Sequence, residues 1–165
     1  MKYSIFPVFL IILVAGCTST GNVVSMESVK SSDNVSVDYW GTLDNGTLFD
    51  TSEGRAPLEF TAGAGQMIKG FDDAVIGMKA GEQKQVRIEP EEAYGPYDTR
   101  AVIEVPIEQL QQAGIEPEKG QTLYMRGQPV KILDVNEQNV TIDANHQLAG
   151  KALNFRIKLL QINGK

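Results

Sequence analysis

The sequence predicts an α+β fold, in which strands that alternate apolar and polar residues accompany short helices. Alternation recurs in segments such as 35–39 and 152–162, as in strands with one buried face. Asn45-Gly46 stands between apolar flanks, which predicts a tight hairpin and therefore antiparallel pairing. Apolar residues recur at near-helical spacing over 68–75, so one short amphipathic helix is expected there.

The amino terminus differs in kind from the rest of the chain. Lys2 precedes an apolar run, residues 3–14, and small residues then lead to Cys17. A run this short predicts a signal peptide rather than a membrane span, and its end resembles a lipoprotein signal, in which the cysteine becomes the lipidated first residue. We therefore expect residues 1–17 to direct export and lipid anchoring to the extracytoplasmic face of the cell membrane; an uncleaved anchor helix is the alternative.

Composition limits the possible functions. The chain of 165 residues has a net charge of −6 and a pI near 4.8, so the basic surface that nucleic acids require is not expected. With one Cys and one His, neither an intramolecular disulfide, a Cys-His nucleophilic pair nor a His-rich metal site can be assembled. No cofactor and no metal are predicted. Residues 18–33 are rich in Ser, Thr, Gly and Asn and predict a flexible tether, with the folded body beginning near Asn34.

The first part of the folded body is predicted as a hairpin, a strand, a helix and another strand. The hairpin occupies 35–49, and an extended segment follows at 56–60. Asp72 and Asp73 fall in the first helical turn, where the helix dipole favours negative charge, and Gly77 is the expected stop. The next strand, 85–89, ends at Pro90.

Composition changes after Gly95. Residues 98–144 predict a strand, a short helix and three further strands, which could form their own small sheet but would be marginal alone. We interpret them as an insertion into a body made of 34–97 and 145–165. The last strand places four apolar residues on one face: Leu153, Phe155, Ile157 and Leu159.

Two familiar chemistries are not supported. Gly63, Gly65 and Gly70 fit neither the dinucleotide motif GxGxxG nor the phosphate-binding motif GxxxxGK[ST], so no nucleotide site is predicted. Several glutamates surround Tyr94, but such a charge run is more often a solvated face than the acid-base pair of a glycosidase.

Five short motifs occur in order before the insertion, and a sixth follows it. They are Val37-Asp-Tyr39, Leu48-Phe49-Asp50, Met67-Ile68-Lys-Gly70-Phe71, Gly77-Met78-Lys-Ala-Gly81, Ala93-Tyr94-Gly95, and Asn145-His146-Gln-Leu148-Ala149-Gly150 with the nearby Leu153-Asn-Phe155. Together they resemble the FK506-binding-protein (FKBP) class of peptidyl-prolyl cis-trans isomerases. The sixth is similar to the SlyD-like subgroup, in which an insert-in-flap domain replaces the flap over the active site.

The resemblance implies a bent antiparallel sheet wrapped around the short helix, with an apolar pocket between them. Carried over by position, the catalytic residues are Tyr39, Asp50, Ile68, Tyr94 and Phe155, and the substrate-binding residues are Phe49, Phe60, Met67 and Phe71. Family members with a classical pocket often have Trp on its floor, where this chain has Phe71. The neighbouring Trp40 should turn to the other side of its strand.

Such a pocket would isomerise X-Pro bonds without a nucleophile. Amide resonance sets a barrier of roughly 18 to 20 kcal/mol, and the twisted amide has less charge separation than the planar one, so an apolar pocket penalises the ground state more. The Ile68 N–H and the Tyr94 hydroxyl would hold peptide carbonyls. Asp50 would either polarise the twisted bond or make a structural hydrogen bond with Tyr39. For His146, satisfying backbone groups is favoured over contact with substrate.

The insertion resembles the chaperone domain that grips unfolded chains in this subgroup. Its apolar residues would either bind clients or form its own core; they are Val102, Ile103, Leu123, Tyr124, Met125, Val130 and Ile132. The predicted partners are unfolded or proline-containing polypeptides, with FK506-like macrolides as a further ligand class, and a monomer is expected. One rival is a binding module without turnover. Another is a metal-handling protein, but the sequence ends at Asn163-Gly-Lys165 without a His-rich tail, so tight metal binding is not expected.

Overall fold

The computed structural model of the protein describes residues 27–163, so the predicted signal peptide and Cys17 lie outside it. In chain order the elements are β1 (Asn34–Leu43), β2 (Leu48–Thr51), β3 (Leu58–Thr61), α1 (Lys69–Val75), β4 (Gln83–Ile88), β5 (Val102–Pro106), α2 (Ile107–Gln112), β6 (Thr122–Met125), β7 (Gln128–Val135), β8 (Asn139–Asp143) and β9 (Leu153–Ile162). Short 3₁₀ turns occupy Pro90–Glu92 and Thr99–Ala101. Within 27–163 no helix is long and apolar enough to cross a membrane.

The principal sheet has five antiparallel strands in the order β2-β1-β9-β4, with β3 also paired to β1. Strands β2 and β3 share one edge of β1, since β2 pairs near Gly41 and β3 pairs near Val35. The last strand of the chain, β9, lies between β1 and β4. The α+β fold predicted from the sequence is thereby confirmed.

The core of this sheet lies between α1 and the inward face of β9. Leu153, Phe155, Ile157 and Leu159 are buried while their neighbours on β9 alternate outward, as the period of a strand requires. On α1, Phe71, Ala74 and Val75 are buried against them. The helix approaches β4 so closely that a Cβ on Gly70 would lie 2.4 Å from Ile88 Cγ2.

Three local predictions are confirmed. The Asn45-Gly46 hairpin joins β1 to β2, with the Gly46 N–H donating to the Leu43 carbonyl at 2.8 Å. Helix α1 ends before Gly77, whose φ of +84° is a conformation that favours glycine. Trp40 lies on the opposite side of β1 from Tyr39. Its ring lies under the Arg156 guanidinium, whose central carbon is 4.2 Å from the ring centroid.

The fold begins before the predicted boundary at Asn34. Val29 is only 2% exposed, its N–H donates to the Met78 carbonyl at 2.9 Å, and its own carbonyl accepts from Gly77 at 2.9 Å. Ser28 and Val29 therefore pair with the loop after α1, and Ser32 and Asp33 bond Ala62 after β3. Because Val29 has polar neighbours at 28 and 30–33, the sequence pattern did not indicate that its side chain is buried.

Residues 102–143 form a second antiparallel sheet in the order β5-β8-β7-β6. Its own small core contains Leu110 from α2 together with Leu123, Val130, Ile132, Val140 and Ile142. Leu123, Val130 and Ile132 therefore belong to the core rather than to a client-binding surface. Ile103, Tyr124 and Met125 are instead exposed, Tyr124 by 77%.

The two chain segments that lead into and out of the second sheet are bonded to each other. The Asn145 side chain accepts from the Asp98 N–H at 3.0 Å and donates to the Asp98 carbonyl at 2.9 Å. The Tyr97 hydroxyl donates to the Asp143 carboxylate at 3.1 Å. The ends of the segment 98–144 consequently lie side by side.

Candidate active site

The predicted phenyl rings form one contiguous aromatic cluster at the centre of the principal sheet. Phe71 and Phe155 meet edge to face with ring centroids 5.1 Å apart, and they are 3% and 8% exposed. Phe49 packs edge to face on Phe155 at 5.6 Å, Phe60 lies 5.9 Å from Phe71, and Tyr39 contacts Phe71 at 6.0 Å. Edge-to-face pairs suit the quadrupoles of aromatic rings, so the rings pack into a defined apolar surface with little access to water.

Gly41 makes room for this cluster. It lies between Asp50 on β2 and Phe155 on β9 in the strand register. A Cβ at this position would stand 2.7 Å from Phe49 Cζ and 3.0 Å from Phe155 Cε1. No side chain fits there without moving a ring, and this requirement was not foreseen from the sequence.

The rim beside α1 is formed by Met67 and Ile68, which are half-buried against the same core. Ile68 is the residue before the helix, and its N–H has no hydrogen-bond acceptor among residues 27–163. The preceding glycine-rich loop is held by the buried Asp72 carboxylate, which accepts from Gly63 N at 2.6 Å and from Gly65 N at 3.1 Å. Asp72 thus fixes the loop that presents the Ile68 amide.

At the opposite rim, Asp50 is the centre of a polar network. The Tyr39 hydroxyl donates to its Oδ2 at 2.6 Å, so the structural hydrogen bond considered for Asp50 is present. Arg55 Nη2 donates to Oδ1 at 2.6 Å, and also bonds the Thr51 carbonyl. Partial burial raises the pKa of Asp50, but the hydrogen bonds from Tyr39 and Arg55 outweigh it and bring the pKa below its ordinary value. Asp50 is accordingly an ionised acceptor at the mouth of the pocket.

Ser52 fixes the backbone beneath this network. It is 3% exposed, and its hydroxyl accepts from the Tyr39 N–H at 3.0 Å and donates to Asp38 at 3.1 Å. Neither Ser52 nor Arg55 was selected from the sequence, because both lie in a polar turn and their contacts with β1, at Asp38 and Tyr39, are more than ten positions away.

Tyr94 lies apart from the aromatic cluster and stacks on His146. Their rings are parallel within 5°, with centroids 3.9 Å apart. His146 Nδ1 accepts the Leu148 N–H at 3.2 Å, which confirms that this imidazole satisfies a backbone group. Desolvation lowers the pKa of His146. The stack, in contrast, joins residues 52 positions apart and had no signal in the sequence.

A cleft of about 710 Å³ separates this part of the principal sheet from the second sheet. Phe49 and His146 line it on one side, and Val130 and Leu133 line it on the other. Of the aromatic cluster, Phe49 is the member that lines this cleft. Within residues 27–163, no group of three or more His, Cys, Asp or Glu side chains could hold a metal ion.

Comparison with known proteins identifies the class to which this fold and site belong. The family model for FKBP-type peptidyl-prolyl cis-trans isomerases matches residues 25–160, and the chain belongs to that family. Its activity is the cis-trans isomerisation of X-Pro peptide bonds.

Individual members of the family are similar to the chain over most of its length. It is 40% identical over 148 residues to the short-type peptidyl-prolyl cis-trans isomerase of Methanocaldococcus jannaschii, an alignment that covers 81% of this chain and 94% of that protein. It is 40% identical over 118 residues to SlyD of Helicobacter pylori, covering 68% of this chain and 63% of the relative. SlyD of Escherichia coli is 33% identical over 138 residues, covering 78% and 67%.

Proposed function

We propose that isomerisation takes place on the aromatic cluster, with the prolyl ring of the substrate held by Phe49, Phe60, Phe71 and Phe155. The observation that carries this proposal is the buried edge-to-face pair of Phe71 and Phe155. Water stabilises the charge separation of a planar amide more than that of a twisted amide. A pocket that excludes water therefore raises the free energy of the planar ground state relative to that of the twisted transition state. Lowering the barrier by about 5 kcal/mol would accelerate exchange by roughly 10⁴-fold.

Two groups are proposed to hold the peptide on either side of the twisting bond. The Ile68 N–H is without an acceptor among the described residues, and the 41% exposed Tyr94 presents a hydroxyl group. Each would donate to a substrate carbonyl, while Asp50 keeps Tyr39 oriented at the mouth. Met67 supports the Ile68 rim. The same pocket is proposed to accept FK506-like macrolides, with the Phe71 ring in place of an indole.

Accelerated exchange of a proline peptide is the direct test of turnover. The intact chain should speed cis-to-trans exchange well beyond the unaided process, which takes on the order of 10 to 100 s. The measurement is exchange NMR at several protein concentrations. Binding of the peptide without any gain in rate would instead leave a binding module on the same fold.

We further propose that residues 98–144 form an insert-in-flap chaperone domain for unfolded or newly exported proteins. The hairpin of β6 and β7 supports this, because Tyr124 and Met125 at its end are 77% and 37% exposed. An exposed aromatic ring and a flexible thioether suit binding to varied apolar segments. The cleft beside Phe49 would let a client extend from this sheet into the isomerase pocket. A monomer would suffice for both activities.

The amino-terminal segment is proposed to anchor the protein to the extracytoplasmic face of the membrane through a lipid on Cys17. The support is the sequence pattern of 1–17 and the short polar stretch before Val29. In a bacterial host that processes lipoproteins, the intact chain should incorporate a labelled fatty acid, and Cys17→Ser should abolish the label. Equal labelling of both proteins, or labelling of neither, would contradict lipid anchoring at Cys17.

A further inference from the structure

We infer that His146 is a positioning residue of the isomerase, acting through the ring of Tyr94 rather than on the substrate. This inference rests on the proposed role of Tyr94 as a donor to the substrate. Its basis is the parallel stack, in which the two rings lie 3.9 Å apart. Tyr94 follows a 3₁₀ turn and is 41% exposed. The stacked imidazole of His146 covers one face of its ring and so helps to hold the ring in place.

His146 is itself held by hydrogen bonds within the segment that follows the second sheet. Leu148 N–H donates to His146 Nδ1 at 3.2 Å, and the His146 carbonyl accepts from Ala149 N at 2.8 Å. Gly150 N donates to the Gly95 carbonyl at 2.8 Å, which ties this turn to the residue after Tyr94. This backbone hydrogen bond and the ring stack thus join the segments before and after the second sheet, in addition to the hydrogen bonds of Tyr97 and Asn145.

The geometry makes the support dependent on protonation. Because Nδ1 accepts the Leu148 N–H, the neutral ring carries its proton on Nε2, and a second proton can enter only at Nδ1. That proton would replace the Leu148 hydrogen bond with a contact between two donors. The imidazolium would have to turn, and turning would remove the face on which Tyr94 rests.

The protonation of His146 is not tied to a charged partner. The ring forms no ion pair among the described residues, and desolvation holds its pKa below the ordinary value. Other titratable side chains line the same cleft: Tyr97, Lys131, Asp143 and Lys151. Of these, Asp143 is bonded to Tyr97 and Asn145. Near Tyr94 the acids are Glu91 and Glu92, and Glu92 is paired with Lys69 at 3.2 Å.

A double-mutant cycle with a pH profile tests the inference. His146→Ala should lower kcat/KM for a proline peptide several-fold in the intact chain but add little once Tyr94→Phe has removed the hydroxyl, because residues that act through one group are not additive. His146→Phe keeps an aromatic face that does not titrate. It should retain most neutral-pH activity and show a flat profile, while the wild type loses activity as pH falls through the His146 pKa, below about 6.5.

The inference would be overturned by an equal cost of His146→Ala with and without the Tyr94 hydroxyl, or by a His146→Phe profile that still falls with acid. A Tyr94→Phe variant as active as the wild type would also overturn it. NMR shifts of the Tyr94 ring protons give a readout that does not depend on turnover. They should follow the titration of His146 in the wild type, and a Tyr94 ring insensitive to that titration would count against the inference even if the chain proved inactive.

Discussion

Replacing Phe155 with alanine should remove most of the isomerase activity. Its ring contacts Tyr39, Phe49 and Phe71 at centroid distances of 6.3, 5.6 and 5.1 Å, so its loss opens the cluster to water and leaves the other rings without a common neighbour. A loss of about 2 to 3 kcal/mol of transition-state stabilisation would lower kcat/KM by roughly 10²-fold. Exchange NMR on a proline peptide measures the effect.

Stability must be separated from catalysis in this variant, because deleting a buried phenyl ring typically costs about 3 to 5 kcal/mol. Leu159→Ala is the matched control. Leu159 is fully buried on the same face of β9 but outside the aromatic cluster, and its truncation should cost a similar 2 to 5 kcal/mol. Below the unfolding transition of both variants, Leu159→Ala should keep most of its activity. If the two variants lost activity equally, the Phe155 ring would have no special part in turnover.

Removing residues 98–144 should separate peptide isomerisation from assisted folding. The ends of this segment are adjacent, since Asp98 N lies 3.0 Å from Asn145 Oδ1, and a short loop can therefore join them. Exchange of a small proline peptide should survive, because the aromatic cluster comes entirely from the principal sheet and α1. Catalysed refolding of a proline-limited protein should slow by roughly two orders of magnitude, the lower end of the gain that a tethered second binding module gives.

The comparison needs a variant in which the insertion stays folded. Tyr124→Ser with Met125→Ser changes two exposed side chains and leaves the small core around Ile132 intact. It should slow catalysed refolding while peptide exchange is unchanged. If deletion of 98–144 reduced both rates alike, the insertion would be a wall of the active site and not a separate client-binding domain.

The sequence predicted what depends on local patterns. Asn45-Gly46 specified its hairpin because the turn requires positive φ at glycine, and alternation specified the inward face of β9 through Leu153, Phe155, Ile157 and Leu159. Helix α1 was recognisable because apolar spacing and Gly77 both marked it. These signals lie within a few residues of the structure they determine.

What was missed depends on contacts between distant parts of the chain. Arg55 lies in a polar turn, and only the pairing of β1 with β2 brings its guanidinium to Tyr39, 16 positions away. Gly41 carries no side chain to attract notice, yet the packing of Phe49 on Phe155 depends on it. Val29 stands between Ser28 and the polar residues 30–33, so no periodicity could reveal its burial.

The place of β9 in the sheet also sets the order in which the enzyme can become active. This strand is synthesised after the whole second sheet and yet lies between β1 and β4, and it carries Phe155. Until it emerges, β1 and β4 have no partner between them and the aromatic cluster lacks its central ring. The second sheet, by contrast, is complete at Asp143, and domains generally fold as they emerge. The nascent protein thus holds the complete sequence of its second sheet before it can close the aromatic cluster, and on the proposed mechanism turnover begins only when β9 has paired between β1 and β4.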